Sequence, residues 1–134
     1  MQLDDAVDVI IRDLDGRWGV DAAWLFGSQA RGARADSDID VAALFRTPPD
    51  GVALLEARAE LEQLVGQPVD LVDLDVSSPI IAHQAIKGGR LITDRDTRRR
   101  IAFVARLPER YEDLMLVRRN IEQTLLRRTL HGRT

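Results

Sequence analysis

Residues 24–44 read WLFGSQARGARADSDIDVAAL, and this stretch decides the interpretation of the chain. An apolar run at 21–26 stops at Gly27, which predicts a short buried strand. A second apolar run at 39–45 predicts another strand. The small and polar residues between them predict a connection, with one helical turn at 28–32. The stretch therefore predicts two strands joined by a loop that is rich in polar side chains.

Gly27 and Ser28 follow the first of these strands directly. A glycine at such a point lets a ligand approach the backbone, because it carries no side chain. Backbone N–H groups and one hydroxyl are groups that hold phosphate oxygens. Arg31 and Arg34 follow within reach of the same anion. The pattern predicts a phosphate site at this turn.

Asp38 and Asp40 lie two residues apart at the start of the second strand. Side chains at this spacing on a strand project to the same face. Two neighbouring carboxylates repel each other unless a cation lies between them. Mg²⁺ suits such a site, because it binds a few carboxylates together with substrate phosphates and water. The sequence thus predicts a magnesium-dependent phosphoryl or nucleotidyl transfer site.

A third carboxylate is expected on a neighbouring strand, predicted at 69–74. Asp70 lies between Val69 and Leu71, where an unpaired acid would be costly. We expect it to be either a metal ligand or the base that takes a proton from the acceptor hydroxyl. Asp73 and Asp75 lie nearer the strand end and are expected to be solvated.

The remaining pattern predicts an α+β fold, with a small mixed sheet of three or four strands flanked by helices. Residues 1–134 are interpreted as one domain, whose helical C-terminal part occupies 97–130. Further elements are predicted as helices at 3–18, 52–65 and 78–87, a brief strand at 90–93, and two final helices, one ending near 106 and one starting at Pro108.

Composition excludes several classes of function. The chain has no cysteine, so disulfides, thiolate metal sites and cysteine nucleophiles are absent. No apolar run approaches the roughly 20 residues that a membrane span needs, and a cytoplasmic location is expected. Residues 76–134 are basic and 1–75 acidic, but the arginine clusters lack interleaved aromatic residues. We therefore expect no direct nucleic-acid binding.

The order Gly27-Ser28, then Asp38-Ile-Asp40, then a later Asp70 resembles the DNA polymerase β-type nucleotidyltransferase superfamily. More narrowly, 27–32 (GSQARG) with 37–41 (SDIDV) is similar to the minimal nucleotidyltransferases, antitoxin partners of HEPT-domain toxins. The resemblance continues through 86–118. It implies that Gly27 and Ser28 hold the β- and γ-phosphates of ATP, with Arg31 as a further phosphate contact. It also implies that Asp38, Asp40 and Asp70 form a catalytic, Mg²⁺-binding triad.

The same resemblance implies a function. Such proteins transfer AMP from ATP to a tyrosine hydroxyl of the cognate HEPT toxin, a predicted RNase, and so neutralise it. Two alternatives stay open on the sequence. The chain could act by binding and occluding the toxin without catalysis, or it could modify a small hydroxyl compound such as an aminoglycoside.

Overall fold

The computed structural model describes residues 1–30, 32 and 37–131, in which four strands and five helices alternate. All four strands form one sheet in the order β3-β2-β1-β4. Strands β2 and β3 are parallel, and β1 is antiparallel to both β2 and β4. This is the mixed α+β architecture with a helical C-terminus that the sequence predicts. In chain order the elements are α1 (Leu3–Trp18), β1 (Val20–Phe26), α2 (Gly27–Ala30), β2 (Ile39–Phe45), α3 (Gly51–Val65), β3 (Val69–Asp73), α4 (Pro79–Gly88), β4 (Arg90–Asp94) and α5 (Thr97–His131).

Helices α1 and α3 cover one face of the sheet. The apolar residues of α1 recur at helical spacing, so one stripe of the helix is buried while its acids face solvent. Ile10 and Leu14 from α1 and Leu61 from α3 pack into a single core. That core includes the odd-numbered residues of β2, among them Val41, and Val69 and Leu71 of β3. The even-numbered residues of these two strands must therefore project to the opposite face.

Helices α4 and α5 cover that opposite face only in part. Ala82 and Ala85 of α4 and Leu107 of α5 pack against Trp24 and Leu44 of the sheet. Gly89, directly after α4, allows a close approach to the sheet, because a Cβ added there would lie 2.9 Å from the carbonyl oxygen of Leu25. This second core lies beside the starts of β2 and β3, where the predicted carboxylates are located.

The structure contradicts the prediction of two final helices. Helix α5 is continuous over 35 residues, with Pro108 inside it. Proline lacks an N–H group and is expected to break a helix, which is why the sequence indicated a boundary there. Phe103, Val104 and Leu107 pack against the second core just before the proline, and helix-forming residues follow it. Packing and the flanking sequence together outweigh the local cost of proline.

Pro108→Ala is expected to stabilise the protein, because it restores an N–H group that can bond the carbonyl of Val104. We expect a gain of about 1–3 kcal/mol in the free energy of unfolding. Chemical denaturation of the two proteins measures this difference. A neutral or destabilising effect would instead mean that Pro108 starts a separate helix, since proline is favourable at the first helical position.

Asp15 stabilises the turn between α1 and β1 through two side-chain contacts. Its Oδ1 accepts a 2.9 Å hydrogen bond from the Val20 backbone N–H, and its Oδ2 contacts the Arg95 guanidinium. The hydrogen bond from Val20, followed by the charge of Arg95, lowers the pKa of Asp15 below its ordinary value of 3.8. The folded state therefore favours the ionised carboxylate.

Asp15→Asn is expected to lower the free energy of unfolding at neutral pH, because asparagine has the same shape but no charge. A depressed folded-state pKa stabilises the protein above the unfolded value, and that stability is lost as the pH falls through the folded-state pKa. The difference between the two proteins should therefore shrink below about pH 3.8. Thermal melts from neutral pH to pH 2.5 measure it, and a difference that stays constant would exclude a charge effect.

No helix within the described ranges combines the length and apolar character needed to cross a membrane.

Candidate active site

Asp40 lies in the centre of the predicted site, on the second residue of β2. It is paired with Phe26 at the end of β1 and with Asp70 on β3. Adjacent strands lie about 4.8 Å apart. Because Ile39 and Val69 both face the α1/α3 core, Asp40 and Asp70 both project to the other face. The register thus puts these two carboxylates side by side.

Asp38 completes the acidic group from just outside the strand. It is exposed and lies two residues before Asp40. Burial raises the pKa of Asp40 above its ordinary value, and the charges of Asp70 and Asp38 raise it further. The charges of the other two predicted carboxylates therefore disfavour ionisation of Asp40, as expected for neighbouring acids without a cation between them.

Gly27, directly after β1, lies close to the Asp40 carboxylate. Its φ is +71°, a left-handed conformation that favours glycine. A Cβ at this position would lie 2.2 Å from Oδ2 of Asp40, well inside van der Waals contact. The glycine is therefore required both by its backbone conformation and by the carboxylate beside it. Ser28 is the next residue and is partly exposed.

Gln29 fixes the connection between β1 and β2, and sequence reasoning missed it. Its side chain is 5% exposed, and its Nε2 donates a 2.9 Å hydrogen bond to the carbonyl of Ser37. Ser37 immediately precedes Asp38, so the bond joins the Gly27 turn to the acidic segment. The only indication of this role in the sequence is that Gln29 is a single polar residue at the start of a segment of small residues. Arg31, the predicted phosphate contact, lies outside the described residues.

Arg58 on α3 is a second residue that sequence reasoning missed. Its Nη1 lies 3.5 Å from Oδ1 of Asp70, and its Nε lies 3.4 Å from Oε1 of Glu62. Glu62 in turn accepts a hydrogen bond from the Val69 backbone N–H. Strand β3 is the edge of the sheet, so the long arginine can pass its outer side. The side chain of Asp70 is 49% exposed and is held by this pair.

Of the two further acids at the end of β3, Asp73 contradicts the prediction of a solvated side chain and Asp75 confirms it. Asp73 was predicted to be solvated but is 6% exposed, and burial raises its pKa. The reason is local: the chain turns directly after β3, and Oδ1 of Asp73 accepts a hydrogen bond from the Asp75 backbone N–H. Asp75 is exposed, as predicted, and contacts Arg99.

The three predicted carboxylates fit a divalent cation by their chemistry, since Mg²⁺ prefers carboxylate oxygens. Burial is the main cause of the raised pKa of Asp40, and the charges of Asp70 and Asp38 add a repulsion that a bound cation would relieve. Across residues 1–30, 32 and 37–131 no three acidic or histidine side chains stand at metal-binding distance from one another. The Asp70 carboxylate instead contacts Arg58 on α3.

The polymerase β nucleotidyltransferase family matches this chain over residues 9–98, which include the whole acidic group. The chain belongs to this family. It is therefore a nucleotidyltransferase by fold.

Two relatives share the name protein adenylyltransferase MntA. The protein from Thermococcus cleftensis is 40% identical over 62 residues, which cover 46% of this chain and 63% of that protein. The protein from Shewanella oneidensis is 35% identical over 68 residues, which cover 50% of this chain and 49% of that protein. The matched part of this nucleotidyltransferase thus spans about half to just under two thirds of these relatives.

Solved structures extend the similarity to nearly the whole chain. A crystal structure of a toxin–antitoxin with AMP-PNP contains a chain that superposes with a TM-score of 0.76 at 25% identity. The superposition covers 92% of this chain and 98% of the other. The common fold therefore includes most of α5 as well as the sheet.

Proposed function

We propose that this nucleotidyltransferase transfers AMP from ATP to a tyrosine hydroxyl of a cognate HEPT-family toxin and thereby neutralises it. The observation that carries the proposal is the pairing of Asp40 with Asp70, beside a glycine that leaves open the space next to Asp40. The relatives named protein adenylyltransferases and the toxin–antitoxin structure with AMP-PNP support the choice of nucleotide and acceptor.

The proposed reaction is an in-line displacement at phosphorus. The tyrosine oxygen attacks the α-phosphorus of ATP, a new P–O bond forms, and the bond to the β-phosphate oxygen breaks. Pyrophosphate leaves with the bonding electron pair, and the hydroxyl proton passes to a base. Mg²⁺, when bound by Asp38 and Asp40, supplies positive charge to the phosphate oxygens. Since ATP is a cytoplasmic substrate, the cytoplasm is the proposed location.

Asp70 has two possible tasks in this scheme, and its position suits both. It stands beside Asp40, where a third metal ligand is needed. Its half-exposed carboxylate can also accept a proton from an approaching hydroxyl. Gly27 and Ser28 are assigned to the ATP phosphates, and Arg31 to a further phosphate contact.

One observation favours the second candidate, inhibition by binding alone. The last half of α5 exposes large apolar side chains, among them Val117, Ile121 and Leu125, each more than half exposed. Such a face suits a protein partner. Binding and catalysis are compatible, so the question is whether neutralisation needs the aspartates.

A growth assay separates the two candidates. The toxin is expressed in bacteria together with wild type or with the double variant Asp38→Asn/Asp40→Asn. We expect growth to recover with wild type only, while both proteins still co-purify with the toxin. Full recovery with the double variant would establish inhibition by occlusion and overturn the catalytic proposal.

Arg58→Gln is expected to tighten Mg²⁺ binding about three- to ten-fold. It releases Asp70 from its ion pair and removes a positive charge beside the acidic group. Calorimetric titration with Mg²⁺ measures the change. Arg17→Gln is the matched control, because Arg17 also bridges two acids, Asp13 and Glu60, but on the helical face away from the site. Unchanged or weaker binding in Arg58→Gln would show that Arg58 does not compete for Asp70.

A further inference from the structure

A cavity of about 750 Å³ opens between the end of β1 and helix α4. Phe26 and Gly27 form one wall, and His83, Gln84 and Lys87 form the other. Ligand sites for small molecules have volumes of about 300–1,000 Å³, so the cavity is large enough for a nucleotide. It lies against the site described above, because Gly27 is the residue in close contact with the Asp40 carboxylate.

The α4 wall of this cavity carries donors and a positive charge. Lys87 is the only lysine in the sequence. Within the described part of the chain, it forms no ion pair with any carboxylate. Gln84 adds an amide and His83 an imidazole, whose ring stacks on Tyr111 at 4.9 Å between ring centres. The wall therefore lacks acidic groups and offers unpaired donors to an anion.

Lys87 also lies in the last turn of α4, where a positive charge stabilises a helix through its dipole. That role alone would explain a lysine at the helix end. The helix-dipole role does not explain why Lys87 lines a cavity whose opposite wall contains Gly27, the glycine beside Asp40. A helix-stabilising lysine and a ligand-binding lysine differ in what their removal changes, namely stability in one case and affinity in the other.

We propose that Lys87 is the cationic contact of the β- and γ-phosphates of the nucleoside triphosphate, on the α4 wall that lies across this cavity from Gly27. The assignment rests on the proposed function, because it takes ATP as the substrate. When the bond between the α-phosphorus and the bridging oxygen breaks, the electron pair goes to pyrophosphate. The Lys87 ammonium group then lies beside the oxygen atoms that gain charge, and Gln84 donates from the same wall.

Binding of AMP-PNP and AMP to the full chain tests this assignment in the presence of Mg²⁺. Lys87→Gln is expected to weaken AMP-PNP binding about ten-fold and to change AMP binding by less than about two-fold. Lys87→Arg should retain most of the affinity, since the charge is kept. Gln84→Glu, which puts a negative charge on the same wall, should also weaken binding of AMP-PNP more than that of AMP. Arg128→Gln removes one exposed charge far along α5 and serves as the control.

The outcomes separate this proposal from the proposed function. Unchanged AMP-PNP affinity in Lys87→Gln, or equal losses for AMP and AMP-PNP, would overturn the assignment even if wild type transfers AMP to the toxin. AMP-PNP binding that depends on Lys87, without any transfer by wild type, would support the cavity and contradict the transferase proposal. A wild type that binds neither nucleotide would overturn both.

Discussion

Asp40→Asn is expected to lower AMP transfer at least about 1,000-fold while leaving the thermal midpoint equal to or above that of wild type. The loss follows because asparagine cannot replace a charged metal ligand. The stability follows because burial and the charges of Asp70 and Asp38 raise the pKa of Asp40, so its ionised form is disfavoured in the fold. In Asp40→Asn, AMP transfer should therefore fall sharply while the thermal midpoint stays the same or rises.

The measurement pairs a transfer assay with thermal melts in the absence of Mg²⁺. Asp8→Asn is the control, because Asp8 is exposed on α1 and the chemical change is the same. Retained transfer in Asp40→Asn would remove Asp40 from the catalytic group. A clear fall in its melting temperature would show instead that the carboxylate supports the fold.

Gly27→Ala is expected to reduce transfer at least about 100-fold, since a 1 Å displacement of a catalytic group has effects of this size. The added methyl would lie 2.2 Å from Oδ2 of Asp40 and 3.1 Å from its Cγ, so the carboxylate must move. The left-handed φ of +71° adds a backbone penalty of about 1–2 kcal/mol.

Gly66→Ala separates these two effects. Gly66 ends α3 with a φ of +74°, and no atom lies within 4 Å of a Cβ built there. It should show a comparable loss of stability with normal transfer. If Gly27→Ala keeps full activity, or if both variants lose activity equally, the close packing of Gly27 against Asp40 has no catalytic role.

The sequence was sufficient for most elements because their signals are local. The amphipathic helix appears at the predicted residues 3–18 and is followed by a glycine. The strand appears at the predicted residues 39–45, shortly before Pro48 and Pro49. The face of Asp40 could be predicted because the period of a strand fixes which side chains share a face, whereas Asp38 lies one residue before β2 begins. The brief strand at 90–93 was likewise predicted correctly to within one residue.

Other features depend on contacts between distant parts of the chain. The register that puts Asp70 opposite Asp40 requires β3 to pair in parallel with β2, which no local pattern specifies. Arg58 reaches Asp70 only because α3 packs beside the edge strand. The continuity of α5 through Pro108 was mispredicted for a related reason, since packing of Leu107 in the second core is a tertiary effect.

The central claim is tested most directly by intact-mass spectrometry of the cognate toxin after incubation with this chain, ATP and Mg²⁺. We expect a gain of one or more AMP masses on the toxin with wild type, and no gain with Asp38→Asn/Asp40→Asn. An unmodified toxin that is nevertheless bound and inhibited by wild type would contradict it and would leave occlusion as the function.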